Sequence, residues 1–352
     1  MRFAYALAGE GRGHTTRALG LGQELIDRGH EVRFFTDGDA LALLRTRFGP
    51  DAVVEMPVPR FAYSSRGVNW TRTLPVNAGF ILRRRAHARR ILPEVERFQP
   101  DACIADFEPT LHAVARMLDI PIISFDSQHF ANVCRLRDHV PLFHRIRMLP
   151  VAIGSRMFLP RPSLVIVSKA FGLPTRREGQ ILVGPVLRPR IRDGSWKPEG
   201  THLLAYLRGS TAPVVGPILE AAAQRGLQAR FYGMDIPDLP DHGVQCEISE
   251  DGFIRDMLST DLMITTAGSQ VIGEVAHLGV PSLIVPEPGQ VEQDINARLA
   301  EATCARVRRL NVKDLGPKDI HAAIEDLSER SFDSFGDGTS HAADVLLAHL
   351  EA

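Results

Sequence analysis

The segment TTAGSQVIGEVAHLGVPSLIVPEPGQVEQDINA, residues 265–297, decides the fold that this sequence predicts. An apolar strand ends at its start, and a tight loop around Gly268 leads into an amphipathic helix over Ser269–Leu278. A second apolar strand over residues 281–285 and a helix over residues 291–300 follow. Two buried strands joined by a helix form a parallel βαβ unit, so the segment predicts an α/β fold.

The same alternation of short apolar runs and longer amphipathic stretches fills both halves of the chain. Predicted strands cover residues 2–7, 31–36, 102–105, 121–125 and 164–167, then residues 202–207, 228–231, 261–265 and 281–285. The segment 184–200, GPVLRPRIRDGSWKPEG, shows no periodicity. We therefore predict two Rossmann-like domains, residues 1–183 and 201–335, joined by a linker over 184–200. A C-terminal helix in residues 336–352 could pack back on the first domain.

The composition is that of an ordinary globular protein. Of 352 residues, 44% are apolar and 24% are charged, which excludes disordered and fibrous classes. No stretch approaches the ~18 consecutive apolar residues of a spanning helix, and the N-terminus lacks the apolar core of a signal peptide, so we expect a cytoplasmic protein. The four cysteines are far apart, so we expect reduced thiols and no bound metal. They are Cys103, Cys134, Cys246 and Cys304.

Charge is distributed unevenly between the halves. Residues 1–180 hold 26 Lys and Arg against 17 Asp and Glu, whereas residues 181–352 hold 15 against 25. The basic half could face an anionic acceptor or membrane surface, or the opposite charges could simply help the halves to dock. Residues 81–91 and 134–161 mix Arg with large apolar residues, which suits either peripheral contact with anionic lipid or a solvated face.

The first predicted strand leads into the loop GEGRGH, residues 9–14. Its glycines let a ligand approach main-chain N–H groups. The loop departs from the dinucleotide fingerprint because His14 would crowd a pyrophosphate, but Asp37 could bind a ribose, which keeps a nicotinamide-dependent oxidoreductase as an alternative. His14 lies where α/β sheets bind ligands and could act as a general base; alternatively, it only bonds a loop carbonyl.

Asp106 follows the predicted strand 102–105 and should point into the same crevice as His14. An aspartate beside a histidine fixes its tautomer and stabilises the imidazolium that forms on proton abstraction. Asp106 could instead cap the next helix, and Asp126 competes as the partner of His14. We favour Asp106 because its strand should lie nearer the first. The candidates on the acceptor side are Glu10, Arg12, Asp126 and His129.

The loop at Gly268 predicts a second ligand site. Free N–H groups at the following helix N-terminus attract anions, and Ser269 and Gln270 can add hydrogen bonds to a diphosphate. Glu274 on the same helix could accept two ribose hydroxyls, although a helix-surface Glu is the simpler interpretation. Glu292 and Gln293 at the start of the next helix could bind sugar hydroxyls or could only complement the helix dipole.

The pattern small-Gly-x-x-x-x-x-Glu, then G-x-P, Pro, Glu-Gln and Asn-Ala resembles the donor signature of GT-B glycosyltransferases. The resemblance is to the group that joins the UDP-glycosyltransferases (family 1) with the MurG-like enzymes (family 28). It implies two domains that face each other across a cleft, with the acceptor bound by residues 1–183 and the nucleotide-sugar donor by residues 201–335. Within them it implies His14 as the catalytic base oriented by Asp106, and a nucleobase near residues 245–253. It also implies donor contacts at Gly13, Ser210, Ile248, Ser249, Thr266, Ala267, Gly268, Ser269, Gln270, Glu274, Glu292 and Gln293. Thr266 stands where plant members carry a phosphate-binding His.

The implied activity is transfer of a sugar from a nucleoside-diphosphate sugar, with UDP favoured, to an acceptor hydroxyl with inversion. It requires no metal or cofactor and involves no nucleic acid. The acceptor stays open between a lipid-linked compound, a glycan and a small molecule. Alternatives are a sugar-nucleotide 2-epimerase of the same fold, the nicotinamide-dependent oxidoreductase and a non-catalytic sugar-nucleotide sensor.

Overall fold

A computed structural model describes residues 1–9, 12–60, 63–64, 67–68, 77, 79–80, 82–158, 161–177, 180–247 and 249–352. The first sheet is parallel and has the strand order β3-β2-β1-β6-β7-β8-β9. Its strands are β1 (Arg2–Leu7), β2 (Glu31–Thr36), β3 (Val53–Glu55), β6 (Ala102–Asp106), β7 (Ile122–Asp126), β8 (Leu164–Ser168) and β9 (Ile181–Val183). A short antiparallel pair, β4 (Tyr63–Ser64) and β5 (Gly67–Val68), lies outside this sheet.

Seven helices accompany the first sheet in the described part of the chain. They are α1 (Arg12–Asp27), α2 (Gly38–Phe48), α3 (Arg84–Phe98), α4 (Pro109–Met117), α5 (Phe130–Val133), α6 (Leu142–Arg147) and α7 (Leu149–Phe158). Local sequence explains several of the helix starts. Asp37 caps α2, and Glu108 caps α4 by accepting hydrogen bonds from the Thr110 and Leu111 N–H groups. Asp106 therefore does not cap α4, and the capping alternative for it is wrong.

The second sheet is also parallel, with the order β12-β11-β10-β13-β14-β15. Its strands are β10 (His202–Tyr206), β11 (Gln228–Tyr232), β12 (Gly243–Gln245), β13 (Leu262–Thr265), β14 (Ser282–Ile284) and β15 (Val307–Arg309). The remaining helices are α8 (Pro189–Arg192), α9 (Val215–Arg225), α10 (Glu250–Ser259), α11 (Ser269–Leu278), α12 (Val291–Thr303), α13 (Pro317–Glu329) and α14 (Gly338–Glu351). Helix α11 ends at Gly279, whose φ of 68° is favourable for glycine.

The strand order reverses once in each sheet, between β1 and β6 and between β10 and β13. Parallel α/β sheets bind ligands at the carboxyl ends of strands beside such a reversal. In register, Leu7 pairs with Asp106 in the first sheet, and Tyr206 pairs with Thr265 in the second. These pairings place the loop before His14 beside Asp106, and the Gly268 loop beside the end of β10.

Two features join the sheets. Helix α14 crosses back to the first sheet, where Ala342, Ala343 and Leu346 are fully buried in the same core as Leu21 and Leu25 of α1. Burying a leucine contributes ~1.5–3 kcal/mol, so α14 is an integral part of that core. An apolar cluster also packs α12 against the segment around α5 and β8. Its members include Phe130, Val133, Val167, Phe171, Ile295 and Leu299.

Candidate active site between the two sheets

His14 and Asp106 form a hydrogen-bonded pair. His14 lies in the first turns of α1, Asp106 is the last residue of β6, and Nδ1 of His14 is 2.8 Å from Oδ1 of Asp106. Asp106 is fully buried and His14 is 8% exposed. A carboxylate accepts hydrogen bonds, so a neutral His14 ring that donates from Nδ1 to Asp106 carries its lone pair on Nε2. This is the tautomer that a general base needs.

Arg17 joins this pair, and the sequence analysis did not predict it. Its Nε donates to Oδ2 of Asp106 at 2.9 Å and its Nη2 donates to Oδ1 at 3.0 Å, while Nη2 lies 2.9 Å from Nδ1 of His14. Burial alone would lower the pKa of Arg17, but the charge and hydrogen bond of Asp106 outweigh burial and raise it. The spacing H-x-x-R could have predicted that Arg17 lies beside His14, because residues three apart on a helix share a face.

Asp126 pairs with His129, so Asp126 is not the partner of His14. The ring Nδ1 of His129 is 2.6 Å from Oδ2 of Asp126, and the backbone N–H of His129 donates to Oδ1 at 2.8 Å. Burial would raise the pKa of Asp126, but the charge and hydrogen bonds of His129 lower it to about 2. Burial would lower the pKa of His129, but Asp126 raises it. Both shifts favour the charged pair of Asp126 carboxylate and His129 imidazolium.

Gln128 lies between the two histidine–aspartate pairs. Its Nε2 is 3.5 Å from Nε2 of His14, and Gln128 is partly exposed while residues 122–127 and 129–130 are buried. The Asp126–His129 pair holds the turn from which Gln128 extends. The Gln128 amide thus approaches the ring nitrogen that the proposed base uses, and its position was not predicted from the sequence.

The Gly268 loop ends at a helix N-terminus that no side chain caps. Gln293 on α12 accepts a hydrogen bond from the Ala267 N–H at 3.2 Å, and Asn296 donates to the Ala267 carbonyl at 3.2 Å. Helix α12 therefore fixes the loop from one side while the first N–H groups of α11 stay available. An uncapped helix N-terminus of this kind binds anions.

Ser210 and Gln293 belong to one hydrogen-bonded network. The Ser210 Oγ donates to Oε2 of Glu287 at 2.6 Å, and the Gln293 Nε2 donates to Oε1 of Glu287 at 2.7 Å. Glu287 follows β14, and the sequence analysis did not predict its role. The network ties the loop after β10 to the loop after β14, at the same edge of the sheet as the Gly268 loop.

Glu274 is 1% exposed and is bound by Arg188 of the interdomain segment. The Arg188 Nε and Nη2 donate to its two oxygens at 2.9 and 2.7 Å, and Gln270 donates to Oε1 at 3.1 Å. Gln270 also donates to the Val186 carbonyl at 3.0 Å. The interpretation of Glu274 as a solvated helix-surface residue is therefore wrong. The side chain of Gln270 contacts the linker, which leaves the N–H groups and Ser269 as the groups free for an anion.

The remaining predicted site residues are spread over the same region. Thr266 is buried, Gly13, Ser269 and Glu292 are partly exposed, and Ser249 caps α10 through the Gly252 N–H. Asp37, the alternative ribose ligand, caps α2. Arg12 begins α1. Glu10 and Ile248 lie outside the described residues.

Neither a metal site nor a membrane-spanning helix is found among the described residues. No three His, Cys, Asp or Glu side chains there are grouped so that they could hold a metal ion. No described helix combines the length and the apolar character that crossing a bilayer requires.

Residues 1–327 match the family model for glycosyl transferase family 1. The chain belongs to this family. An uncharacterized glycosyltransferase of Methanosarcina acetivorans is 24% identical over 86% of this chain and 83% of its own length. The UDP-N-acetylglucosamine–N-acetylmuramyl-(pentapeptide) pyrophosphoryl-undecaprenol N-acetylglucosamine transferase of Granulibacter bethesdensis is 23% identical over 93% of both chains. The protein is therefore a glycosyltransferase.

Solved structures show the same fold. The glycotransferase of kitacinnamycin aligns with a TM-score of 0.68 at 20% identity, over 99% of both chains. The glycosyltransferase VinC in complex with dTDP aligns with a TM-score of 0.65 at 15% identity, over 100% of both chains. These likenesses and the two parallel sheets confirm the predicted α/β, two-domain GT-B fold.

Proposed function

We propose that this glycosyltransferase moves a sugar from a nucleoside-diphosphate sugar to an acceptor hydroxyl with inversion, with His14 as the general base. One observation carries the proposal, the 2.8 Å hydrogen bond between His14 and Asp106 at the carboxyl ends of β1 and β6. That bond orients the ring and, when the ring is neutral, leaves on Nε2 the lone pair that accepts a proton. Asp106 and Arg17 act through His14 and are positioning residues.

The proposed reaction is a single displacement. Nε2 of His14 removes the proton of the acceptor hydroxyl. At the same time the oxygen of that hydroxyl forms a bond to the anomeric carbon of the donor sugar. The bond between that carbon and the diphosphate oxygen breaks on the opposite face, and the nucleoside diphosphate leaves with the electron pair. Its negative charge lies against the N-terminus of α11, where fixed N–H dipoles stabilise it without rearrangement.

The donor is proposed to be a UDP-sugar. The N-terminus of α11 suits a diphosphate, and the Granulibacter relative is named for UDP-N-acetylglucosamine, whereas the VinC structure holds dTDP. Both relatives point to a pyrimidine nucleoside diphosphate.

A ligand screen followed by product analysis tests the donor and the stereochemistry. We expect UDP to raise the unfolding temperature more than dTDP, GDP or NAD, because binding to the native state stabilises it. With the preferred UDP-sugar, proton NMR of the product is expected to show the anomeric configuration opposite to that of the donor. Stabilisation by NAD alone, or a product that retains configuration, would contradict the proposal.

The acceptor side is proposed to rest on an anionic lipid surface through α6 and α7. Five large apolar residues in this short segment are exposed: Leu142, Phe143, Ile146, Leu149 and Ile153. Residues 142–158, which form α6 and α7, contain three arginines and no Asp or Glu. Exposed apolar side chains beside basic ones favour the interface of anionic lipids. This surface adjoins a cavity of about 560 Å³ between α6 and the loop Pro286–Gln290.

Vesicle sedimentation tests this contact. We expect the protein to sediment with vesicles that contain phosphatidylglycerol and to stay in solution with phosphatidylcholine alone. The variant L142S/F143S removes two side chains that are 62% and 63% exposed and should reduce binding about tenfold. The control L43S/M117S changes side chains that are 49% and 45% exposed on other helices and should bind normally. If light scattering shows that L142S/F143S separates a dimer, the surface is a self-interface and the lipid proposal is wrong.

A further inference from the structure

Lys169 is a buried cation that the proposed mechanism does not use. It follows β8, is 2% exposed, and its Nζ donates to Oδ1 of Asn296 on α12 at 3.1 Å. The rings of Phe130 and Phe171 lie 4.3 and 5.5 Å from Nζ. Among the residues that the structure describes, no carboxylate lies within 4.0 Å of it. The protein thus buries a positive charge with one hydrogen bond and two aromatic faces.

A buried ammonium group without a counter-ion is costly. Burial and the charge of Arg17 lower the pKa of Lys169, and although Glu292, Cys134 and Asp126 act in the opposite direction, the pKa falls to about 8. The side chain is therefore still mainly charged at neutral pH. Lysine is also rare in this chain, at four of 41 basic residues. A ligand that brings negative charge to this region would offset the cost of burying the ammonium group.

Asn296 connects Lys169 to the Gly268 loop. Its Oδ1 accepts from Lys169, and its Nδ2 donates to the Ala267 carbonyl at 3.2 Å. Ala170, the next residue along the chain, is buried against Ala267 and Ile272. One amide side chain therefore separates a cation of the first domain from the loop that precedes the N-terminus of α11.

We propose that Lys169 is a positioning residue that holds the Gly268 loop through Asn296 and balances the charge of the donor diphosphate. The inference rests on the proposed function, because it requires a diphosphate at the N-terminus of α11. It adds a group from the acceptor-side domain to donor binding. The two domains must therefore be in contact at Lys169 for the donor to bind with full affinity.

Calorimetric titration of uridine, UMP and UDP into the full chain tests the proposal. The titrations compare the wild type with the K169M and K318M variants. Lys318 is exposed on α13, so K318M is a matched loss of one charge. We expect K169M to weaken UDP binding roughly ten- to a hundredfold and to leave uridine within about twofold, because only UDP carries the diphosphate. K169M should unfold at the same or a higher temperature than wild type, since it removes the cost of burying a charge.

A pH series adds a second measurement. Between about pH 7 and about pH 9.5, UDP binding to wild type should weaken as Lys169 loses its proton, and the K169M variant should lack this dependence. Equal loss of uridine and UDP affinity in K169M, or a lower unfolding temperature with unchanged UDP affinity, would show a merely structural role. Wild type that binds uridine and UDP equally would refute the proposed diphosphate site itself, which distinguishes the two failures.

Discussion

His14→Ala is expected to reduce kcat roughly 10²- to 10⁴-fold, the range typical of a lost general base. The variant removes the lone pair on Nε2 that accepts the acceptor proton, while the donor loop on the other sheet is untouched. Donor affinity should therefore change by less than about twofold, and kcat and kcat/KM should fall together. Initial rates at saturating UDP-sugar measure the fall in kcat, and a titration with UDP checks that donor affinity is unchanged.

His129→Ala is the matched control for that experiment. His129 is also a buried histidine beside a buried aspartate, at 4% exposure against 8% for His14. Its role in the proposal is to hold the turn that carries Gln128, so we expect its loss to reduce kcat at most about tenfold. If His129→Ala abolishes transfer and His14→Ala does not, the base has been assigned to the wrong pair.

The long apolar strands were the part of the fold that could be predicted from sequence. The strands at residues 2–7 and 31–36 have the predicted bounds, and β6 and β13 differ from the prediction by one residue at one end. These strands could be predicted because burial on both faces makes them continuous apolar runs in the sequence. The three-residue strands β3, β9, β12 and β15 were not predicted. Three residues are too few to show a period, and such strands form only because a neighbouring strand offers its N–H and C=O groups.

The candidate site divides in the same way. His14, Asp106 and Gly268 could be placed from sequence because each ends a strand or begins a helix at a strand reversal. Arg188 could not, because its partner Glu274 lies 86 residues away and the linker carries no periodic pattern. Glu287 and Asn296 were missed for the same reason, since their partners are contributed by other loops. Long-range polar pairs depend on tertiary packing, which a single sequence does not reveal.

Arg188→Met is expected to lower the free energy of unfolding by about 3–5 kcal/mol, the cost of breaking a buried ion pair from one side. It leaves the Glu274 carboxylate, whose side chain is 2% exposed, with Gln270 as its remaining hydrogen-bond donor among the described residues. A protein of ordinary stability has ~5–15 kcal/mol in total, so the loss should be visible in urea unfolding. Arg225→Met, in an exposed pair with Glu325, is the control and should cost less than about 1 kcal/mol.

The double variant R188M/E274M separates stability from donor binding. Replacing both charges by apolar side chains should restore most of the free energy of unfolding, because neither charge is then left buried alone. UDP affinity should stay at least about tenfold below wild type, since the carboxylate that the sequence predicts as the acceptor of the ribose hydroxyls is absent. If R188M/E274M recovers UDP affinity together with stability, Glu274 is only the structural partner of Arg188, and the ribose must bind elsewhere on the α11 face.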